Sequence, residues 1–330
     1  MNARAIRRFL CLTVVAAVLT ASAMAVELRY AHVGNEGDIQ TIFVEEANKL
    51  IEKATDGRIK FRIFPASQLG GVQEMVDGIK MGSIAIGHHD FASLATIAPD
   101  VAVFNAPFIF RDGAHALRAT DPKTSKALQK INEELVKEGG IRIIGRLYRG
   151  TRNISSNFPV KTPADLTGKP FRAVPVPLWV SMVKGFTAIP TPVEVSELPT
   201  ALMTGLVVGQ ENPLTMIKSN KIYEVQSHIS MTGHMHSVLT VFVNDEYWQG
   251  MKQEDREVIE NALEATAWES LKWATEADDE LIADLRGRKI TFIYPADGLD
   301  IPAFEASVLK QISIDFPTFA PLIEEIKAVR

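Results

Sequence analysis

Glu27-Leu28-Arg29-Tyr30-Ala31-His32-Val33 alternates polar and apolar side chains and stops at Gly34. Period-two alternation is the pattern of a strand with one buried face, so 27–33 reads as a first strand. Residues 38–54 follow with Ile39, Phe43, Ala47, Leu50 and Ile51 at helical spacing, ending at Gly57. Residues 58–64 alternate again through Ile59, Phe61 and Ile63 and stop at Pro65. Residues 71–81 put Val72, Met75, Val76 and Ile79 on one helical face, and 83–87 form a short apolar strand. A β-α-β-α-β order needs crossover helices between parallel strands, which predicts an α/β lobe.

The rhythm returns after Gly140. Residues 142–147 read as a strand, followed by a polar loop and a strand at 170–174. A helix at 178–185, an extended stretch at 188–193 broken by prolines, a helix at 196–204 and a short strand at 207–209 complete it. No tandem repeat or low-complexity linker separates the two halves, which predicts two lobes and a chain that crosses between them more than once. Residues 251–286 contain neither Gly nor Pro and carry an apolar stripe through Val258, Ile259, Ala262, Leu263, Ala267, Leu271 and Ala274. At ~1.5 Å per residue, one helix there would run ~50 Å. The alternatives are two helices with an unmarked break, or one long helix spanning both lobes.

The 330 residues are 46% hydrophobic and 23% charged, with a net charge of -5 and one cysteine. These fractions exclude a disordered chain, a collagen-like repeat and a polytopic membrane protein. The acidic balance argues against nucleic acid as a partner. One cysteine permits no disulfide framework and no thiolate metal site. Arg4, Arg7 and Arg8 precede an apolar run at 9–19 and the small-x-small pattern Ala23-Met24-Ala25. Residues 1–25 therefore read as a secretory signal peptide, cleaved near Ala25, which places the protein in the periplasm. Its removal takes three arginines and Cys11, leaving a cysteine-free chain with 32 basic and 40 acidic residues.

Motifs for common chemistries are missing: no Gly-x-Ser-x-Gly elbow, no Walker loop, no Gly-x-Gly-x-x-Gly. No cofactor is expected. His88-His89-Asp90 and His234-x-His236 lack a zinc spacing, so no metal is expected either. His88, His89 and Asp90 follow a predicted strand instead, and in open α/β sheets ligands bind at the carboxyl ends of strands. Arg146, Arg149 and Arg152 cluster around Gly150, and Arg172 lies inside the apolar strand Phe171-Arg172-Ala173-Val174. A permanent charge there is costly unless something anionic meets it. That anion is either an internal acid or a ligand carboxylate held by a bidentate fork. Asn212, in Gly209-Gln210-Glu211-Asn212-Pro213, is either an amide donor to the same carboxylate or the start of an Asn-Pro turn.

Several stretches together carry a family resemblance: Ser67-Gln68-Leu69-Gly70, Pro107-Phe108-Ile109-Phe110 after Asn105, and Asp165-Leu166-Thr167-Gly168-Lys169-Pro170-Phe171-Arg172. Gly209-Gln210-Glu211-Asn212-Pro213 and Tyr223-Glu224-Val225-Gln226 add to it. The mature chain resembles the solute-binding proteins of tripartite ATP-independent periplasmic (TRAP) transporters, the DctP family. The resemblance implies a two-lobed periplasmic binding protein fold of the α/β class, with a long helix spanning both lobes. It favours one helix over 251–286. It implies that Arg172 pairs with a ligand carboxylate, that Arg152 and Asn212 also contact ligand, and that His234 stands behind them. Two positions depart from the family pattern. Val195 replaces a frequent aromatic, which argues against a large sialic acid, and Val208 replaces an aspartate.

The expected lobes are 26–149 with 238–277, and 150–237 with 278–330. The expected ligand is a small organic acid, a sugar acid such as a uronate or aldonate before a C4-dicarboxylate or a keto or hydroxy acid. His88, His89 and Asp90, with His32 and Asn35, are expected to face it from the first lobe. Trp179 either closes over the pocket or belongs to the core. The expected partners are TRAP membrane subunits, with the protein itself a monomer and not an enzyme. The competing readings are a periplasmic enzyme acting on a similar acid and a ligand sensor for a membrane receptor.

Overall fold

The computed structural model describes residues 26–330. The expected signal peptide lies outside the described residues. The chain runs β1 (Val26–Ala31), α1 (Ile39–Ala54), β2 (Ile59–Phe64), α2 (Val72–Lys80) and β3 (Ile86–Asp90). Helices α3 (Gly113–Ala119) and α4 (Lys126–Gly139) lead to β4 (Ile141–Ser156). Next come β5 (Pro170–Ala173), α5 (Pro177–Gly185), β6 (Ile189–Pro192), α6 (Leu198–Met203), β7 (Gly209–Pro213) and α7 (Leu214–Ser219). The chain ends with β8 (His228–Asn244), α8 (Asp245–Gly250), α9 (Gln253–Gly287), β9 (Thr291–Ile293), α10 (Ile301–Asp315) and α11 (Phe319–Lys327).

The opening rhythm is present. Asp38 caps α1, accepting from Gln40 N at 2.9 Å, and Phe43, Val44, Ala47 and Ile51 are buried on one face. Strands β2, β1 and β3 are parallel neighbours, as crossover helices require. The sheet as a whole is mixed, with order β2-β1-β3-β8-β4-β7 and β9 on β8. The β3–β8, β4–β8 and β4–β7 pairs are antiparallel, so the parallel expectation holds only at one end. β5 and β6 form a separate parallel pair.

Three local expectations are corrected. The polar stretch after 147 is not a loop: β4 continues to Ser156, and all its residues but Arg142 and Thr151 are buried. Its polar side chains find partners inside the protein, which hides the period-two signal. His88, His89 and Asp90 do not follow β3 but form its end, paired with β8. Asn212 and Pro213 close β7 rather than open a turn.

Strands β4 and β8 span 16 and 17 residues and pair from Ile141↔Asn244 to Ser156↔His228. At ~3.4 Å per residue each is ~55 Å long, enough to run through both lobes. Their register shifts at Tyr148/Gly150, where Gly150 has φ 110°. A side chain there would adopt a strained backbone and stand 3.3 Å from the Pro213 Cβ. Helix α9 is one 35-residue helix. Asp255 near its start pairs with Arg58 at 2.6 Å, and Asp284 near its end pairs with Lys218. It thus ties the two ends of the molecule together.

The chain end departs from the expected division. Helix α11 does not stay with 278–318. His115 Nε2 on α3 lies 3.1 Å from Ile326 O, and Arg111 donates to Lys327 O and Val329 O at 2.8 Å. The open carbonyls at the end of α11 find their donors on first-lobe segments.

Candidate functional site

The central arrangement begins with two neighbouring strands of the second lobe. Arg152 on β4 and Glu211 on β7 are both fully buried. Arg152 Nη2 donates to Glu211 Oε1 at 2.7 Å and to Glu211 O at 2.9 Å, and Nε donates to Oε2. Trp179 Nε1 donates to Oε1 at 2.9 Å and His234 Nε2 to Oε2 at 3.0 Å. Burial alone would raise the Glu211 pKa, but the Arg152 charge and fork, with the His234 bond, hold it well below the usual carboxylate range. Burial keeps His234 neutral against the pull of Glu211, and Thr232 Oγ1 lies 2.8 Å from its Nδ1.

So Arg152 meets an internal acid, the first of the two alternatives open for a buried arginine. Only its Nη1, buried and without a partner, is left for a ligand. Trp179 is not a lid. It is fully buried, its indole N–H is taken by Glu211, and its ring lies 5.4 Å from the Arg152 Cζ. A buried indole N–H needs an acceptor, and that need seats it behind the fork.

Arg172 contrasts with Arg152. It is 3% exposed on β5, between buried Phe171 and Ala173. Its Nε donates to Val193 O at 2.9 Å. Among the described residues no carboxylate lies within 4 Å of it, and neither Nη atom has a protein partner. Burial lowers its pKa to about 10, partly opposed by the charge of Glu211, so it remains a cation at neutral pH. Asn212 Nδ2 donates to Gln210 Oε1 at 2.6 Å, and Gln210 Nε2 to Ser155 Oγ at 2.7 Å. An i to i+2 bond keeps Asn212 on the other face of β7 from Glu211, so no bond joins it to Arg152.

The facing wall comes from the first lobe. His32 and His88 stack with centroids 4.8 Å apart, and Tyr30 Oη lies 2.9 Å from His88 Nδ1. His32 Nδ1 accepts from Gly34 N at 3.2 Å. Both Nε2 atoms are buried without a partner, as is His89 Nδ1. Burial pushes His32 down to about 3, His89 to about 4 and His88 well below its usual value, so all three are neutral at pH 7. Asp90, 2% exposed, has Oδ1 3.5 Å from Arg149 Nη2 and Oδ2 3.7 Å from His89 Nδ1. Arg149 is itself buried and donates to Ser237 Oγ at 3.0 Å.

Asn35 is a contact between the lobes: its Nδ2 donates to Asn220 Oδ1 at 3.0 Å. Val33 packs with Val195 and Met216 across the same seam. The Glu194 carboxylate sits over the start of α2, where burial raises its pKa and the Val72 N–H and the Arg172 charge oppose that rise. A Cβ on Gly71 would stand 2.8 Å from that carboxyl group. The lobes are thus closed on one another, with a cavity of about 300 Å³ at the seam lined by Val33, Asn35, Ser67, Val195, Ser196 and Asn220.

Sequence reasoning left Arg149, Asp38, Gln40, Glu211 and Glu194 without roles. Glu211 had a signal in its place beside Asn212 in Gly209-Gln210-Glu211-Asn212-Pro213, but the need of Arg152 for an acid shows only once β4 is seen to bury it. Arg146 is structural: it forks to Glu264 on α9 and donates to Leu117 O at 2.9 Å.

These features define a two-lobed binder that encloses a small anion between polar walls. The profile of DctP, bacterial extracellular solute-binding protein family 7, matches residues 30–312. The chain belongs to that family, whose members are binding proteins of TRAP transporters and not enzymes. It is 29% identical over 335 residues, 100% of each chain, to the 2,3-diketo-L-gulonate-binding periplasmic protein YiaO of Escherichia coli (strain K12). Among solved structures it resembles a TRAP periplasmic solute-binding protein of Roseobacter denitrificans OCh 114 with bound L-galactonate. The TM-score is 0.84 at 25% identity, covering 92% of this chain and 99% of that one. A protein from Ochrobacterium anthropi with bound L-fuconate has a TM-score of 0.85 at 26% identity, covering 92% and 99%.

Proposed function

We propose that this chain captures a sugar acid in the periplasm, after loss of residues 1–25, and delivers it as a closed monomer to TRAP membrane subunits. The observation that carries this reading is Arg172, a buried guanidinium whose two Nη groups have no partner, and which has no acid within 4 Å, among the described residues. A carboxylate is the group that matches such a fork. The free Nη1 of Arg152 offers a further donor. The buried, unpartnered atoms of His32, His88 and His89 suit hydroxyl groups, which donate and accept. The named ligands of the relatives, a diketogulonate, a galactonate and a fuconate, support the same class.

Binding starts with the carboxylate on the second wall. Closure excludes water, and the ion pair strengthens as the local dielectric falls. The crossings of β4 and β8 near Gly150 and Ser237 serve as the hinge. We place the lobes at 26–149 with 238–277 and at 150–237 with 278–318, with α11 returning to the first lobe. The test is a thermal-shift panel of aldonates, uronates and keto acids on ligand-stripped protein. A ligand at a hundred times its Kd stabilises by about 2.7 kcal/mol, a rise in Tm of roughly 4 °C for a chain of this length. A panel in which only uncharged sugars or amines raise Tm would overturn the reading.

A further inference from the structure

The way the buried charges of the closed cleft pair by contact bears on how many carboxylates its ligand carries. Three buried guanidiniums, Arg149, Arg152 and Arg172, meet there. Two buried carboxylates, Asp90 and Glu211, act on all three. Arg149 and Arg172 each feel both acids, and Arg152 feels both as well. Glu211 is committed to Arg152 by the fork, and Asp90 faces Arg149 at 3.5 Å. Asp38 acts on Arg149 and Glu194 on Arg172 from farther away, so contact rather than net charge sets the seat: among the described residues, Arg172 is the guanidinium without an acid within 4 Å.

The wall opposite Arg172 offers no second such place. Asp38, fully buried at the start of α1, has its pKa raised by burial, opposed by the field of Arg149 and the Gln40 bond, and Arg149 itself faces Asp90 at 3.5 Å. The histidines add no charge at neutral pH, because burial holds them below their ordinary range. The orphaned atoms tell the same story. Asp38 Oδ2 and Gln40 Oε1 are buried acceptors without a donor. His32 Nδ1 accepts from Gly34 N, so its unpartnered Nε2 carries the proton in the neutral ring. A wall that needs both donors and acceptors is met by hydroxyls. A carboxylate can only accept, and it would bring its charge against two acids.

We propose that the cleft takes a single carboxylate, seated at Arg172, and that Asp38 and Asp90 exclude a second, so that the ligand is a hydroxylated monoanion and not an aldarate or other dicarboxylate. This rests on the carboxylate-binding reading above and adds to it the number of charges and the residues that set that number. Specificity of this kind comes from a repulsive element as much as from an attractive one.

Calorimetry on the ligand-stripped mature protein with matched acid pairs tests it. The pairs are D-galactonate and galactarate, D-glucuronate and D-glucarate, 2-hydroxybutyrate and malate, butyrate and succinate. The monoacid of at least one pair binds, and its diacid binds about 100-fold more weakly or not at all, as like-charge contact inside an interface predicts. Asp90→Asn narrows that gap by about tenfold, with Asp38→Asn as the second variant if the first does not fold. A diacid bound within tenfold of its monoacid overturns the proposal. A gap that neither variant narrows overturns the assignment to Asp38 and Asp90. If only 2-hydroxybutyrate or butyrate binds, the sugar-acid reading falls and the single-charge inference stands. If no member of any pair binds, both fall.

Discussion

Arg152 and Glu211 face each other across β4 and β7 as a fully buried fork, Nη2 to Oε1 at 2.7 Å and Nε to Oε2. His234 and Trp179 take up the remaining capacity of the carboxylate. The pair is the anchor of the site rather than its open end. Glu211→Gln removes the compensating charge and leaves Arg152 buried and unpaired, which typically costs about 3–5 kcal/mol. The expected outcome is an apo Tm lower by roughly 5–8 °C in a thermal melt. An unchanged Tm would show that the fork contributes nothing to folding.

Arg172 behaves in the opposite way on substitution. In the unliganded protein it is a buried cation with no acid beside it, so Arg172→Ala should leave apo Tm unchanged or raise it. The same substitution abolishes the ligand-induced shift. Arg172→Lys keeps the charge but loses the planar fork, and affinity should fall by about tenfold or more. Retained sugar-acid binding in Arg172→Ala, measured by calorimetry, would sink the clamp assignment.

The parts of the molecule legible in the sequence are those with one wet face. β1, α1, β2 and α2 each bury one side, so Phe43, Ala47 and Ile51, or Ile59 and Phe61, stand out at a regular period. β4 beyond Leu147 has no wet face apart from half-buried Thr151, and its polar residues are satisfied by distant partners. Tyr148 Oη lies 2.9 Å from His236 Nδ1, and Asn153 Oδ1 accepts from Gly233 N at 3.0 Å. Such a strand looks like a loop until its partners are known. The site divides in the same way. Arg172 was conspicuous because a charge interrupts an apolar run. Arg149 was not, because its place depends on Asp90, which β3 supplies from 59 residues away. Trp179 could be read either as lid or as core until Glu211 was seen to hold its N–H.

The buried histidines set an acid limit on stability. His32 and His89, pushed down to about 3 and about 4 by burial, and His88, also lowered by burial, are neutral when folded and protonate when unfolded. Their depressed pKa values make the folded state most favoured above pH 6.5, and that contribution is lost as pH falls from 6.5 toward the folded values. Each such group removes about 1.4 kcal/mol per pH unit below 6.5. Glu211, also depressed, keeps its contribution until pH falls below the ordinary carboxylate value near 4.5. Asp278, raised to about 6 by burial and by Asp279, contributes stability as pH falls and offsets part of this, so urea unfolding should show a net loss between pH 6.5 and 5.5. His32→Asn should flatten the slope by about one proton. Equal stability at pH 7.5 and 5.5 would contradict the buried-neutral assignment.

The seam between the lobes separates binding from folding. Glu194 reaches the start of α2 from the other lobe, and Asn35 donates to Asn220 across the same gap. Neither contact can form when the lobes are apart, so neither supports the open, unliganded chain. Glu194→Ala and Asn35→Ala should leave apo Tm within a degree or two of the parent, while each weakens sugar-acid binding by roughly 3–10-fold, as the loss of one hydrogen bond would. The change should fall on the dissociation rate, because the carboxylate still docks on Arg172 before closure. Stopped-flow dissociation of a bound sugar acid reads this directly. A slower association with an unchanged dissociation rate would mean that the seam forms before the ligand is held, and that the lobes close in the reverse order.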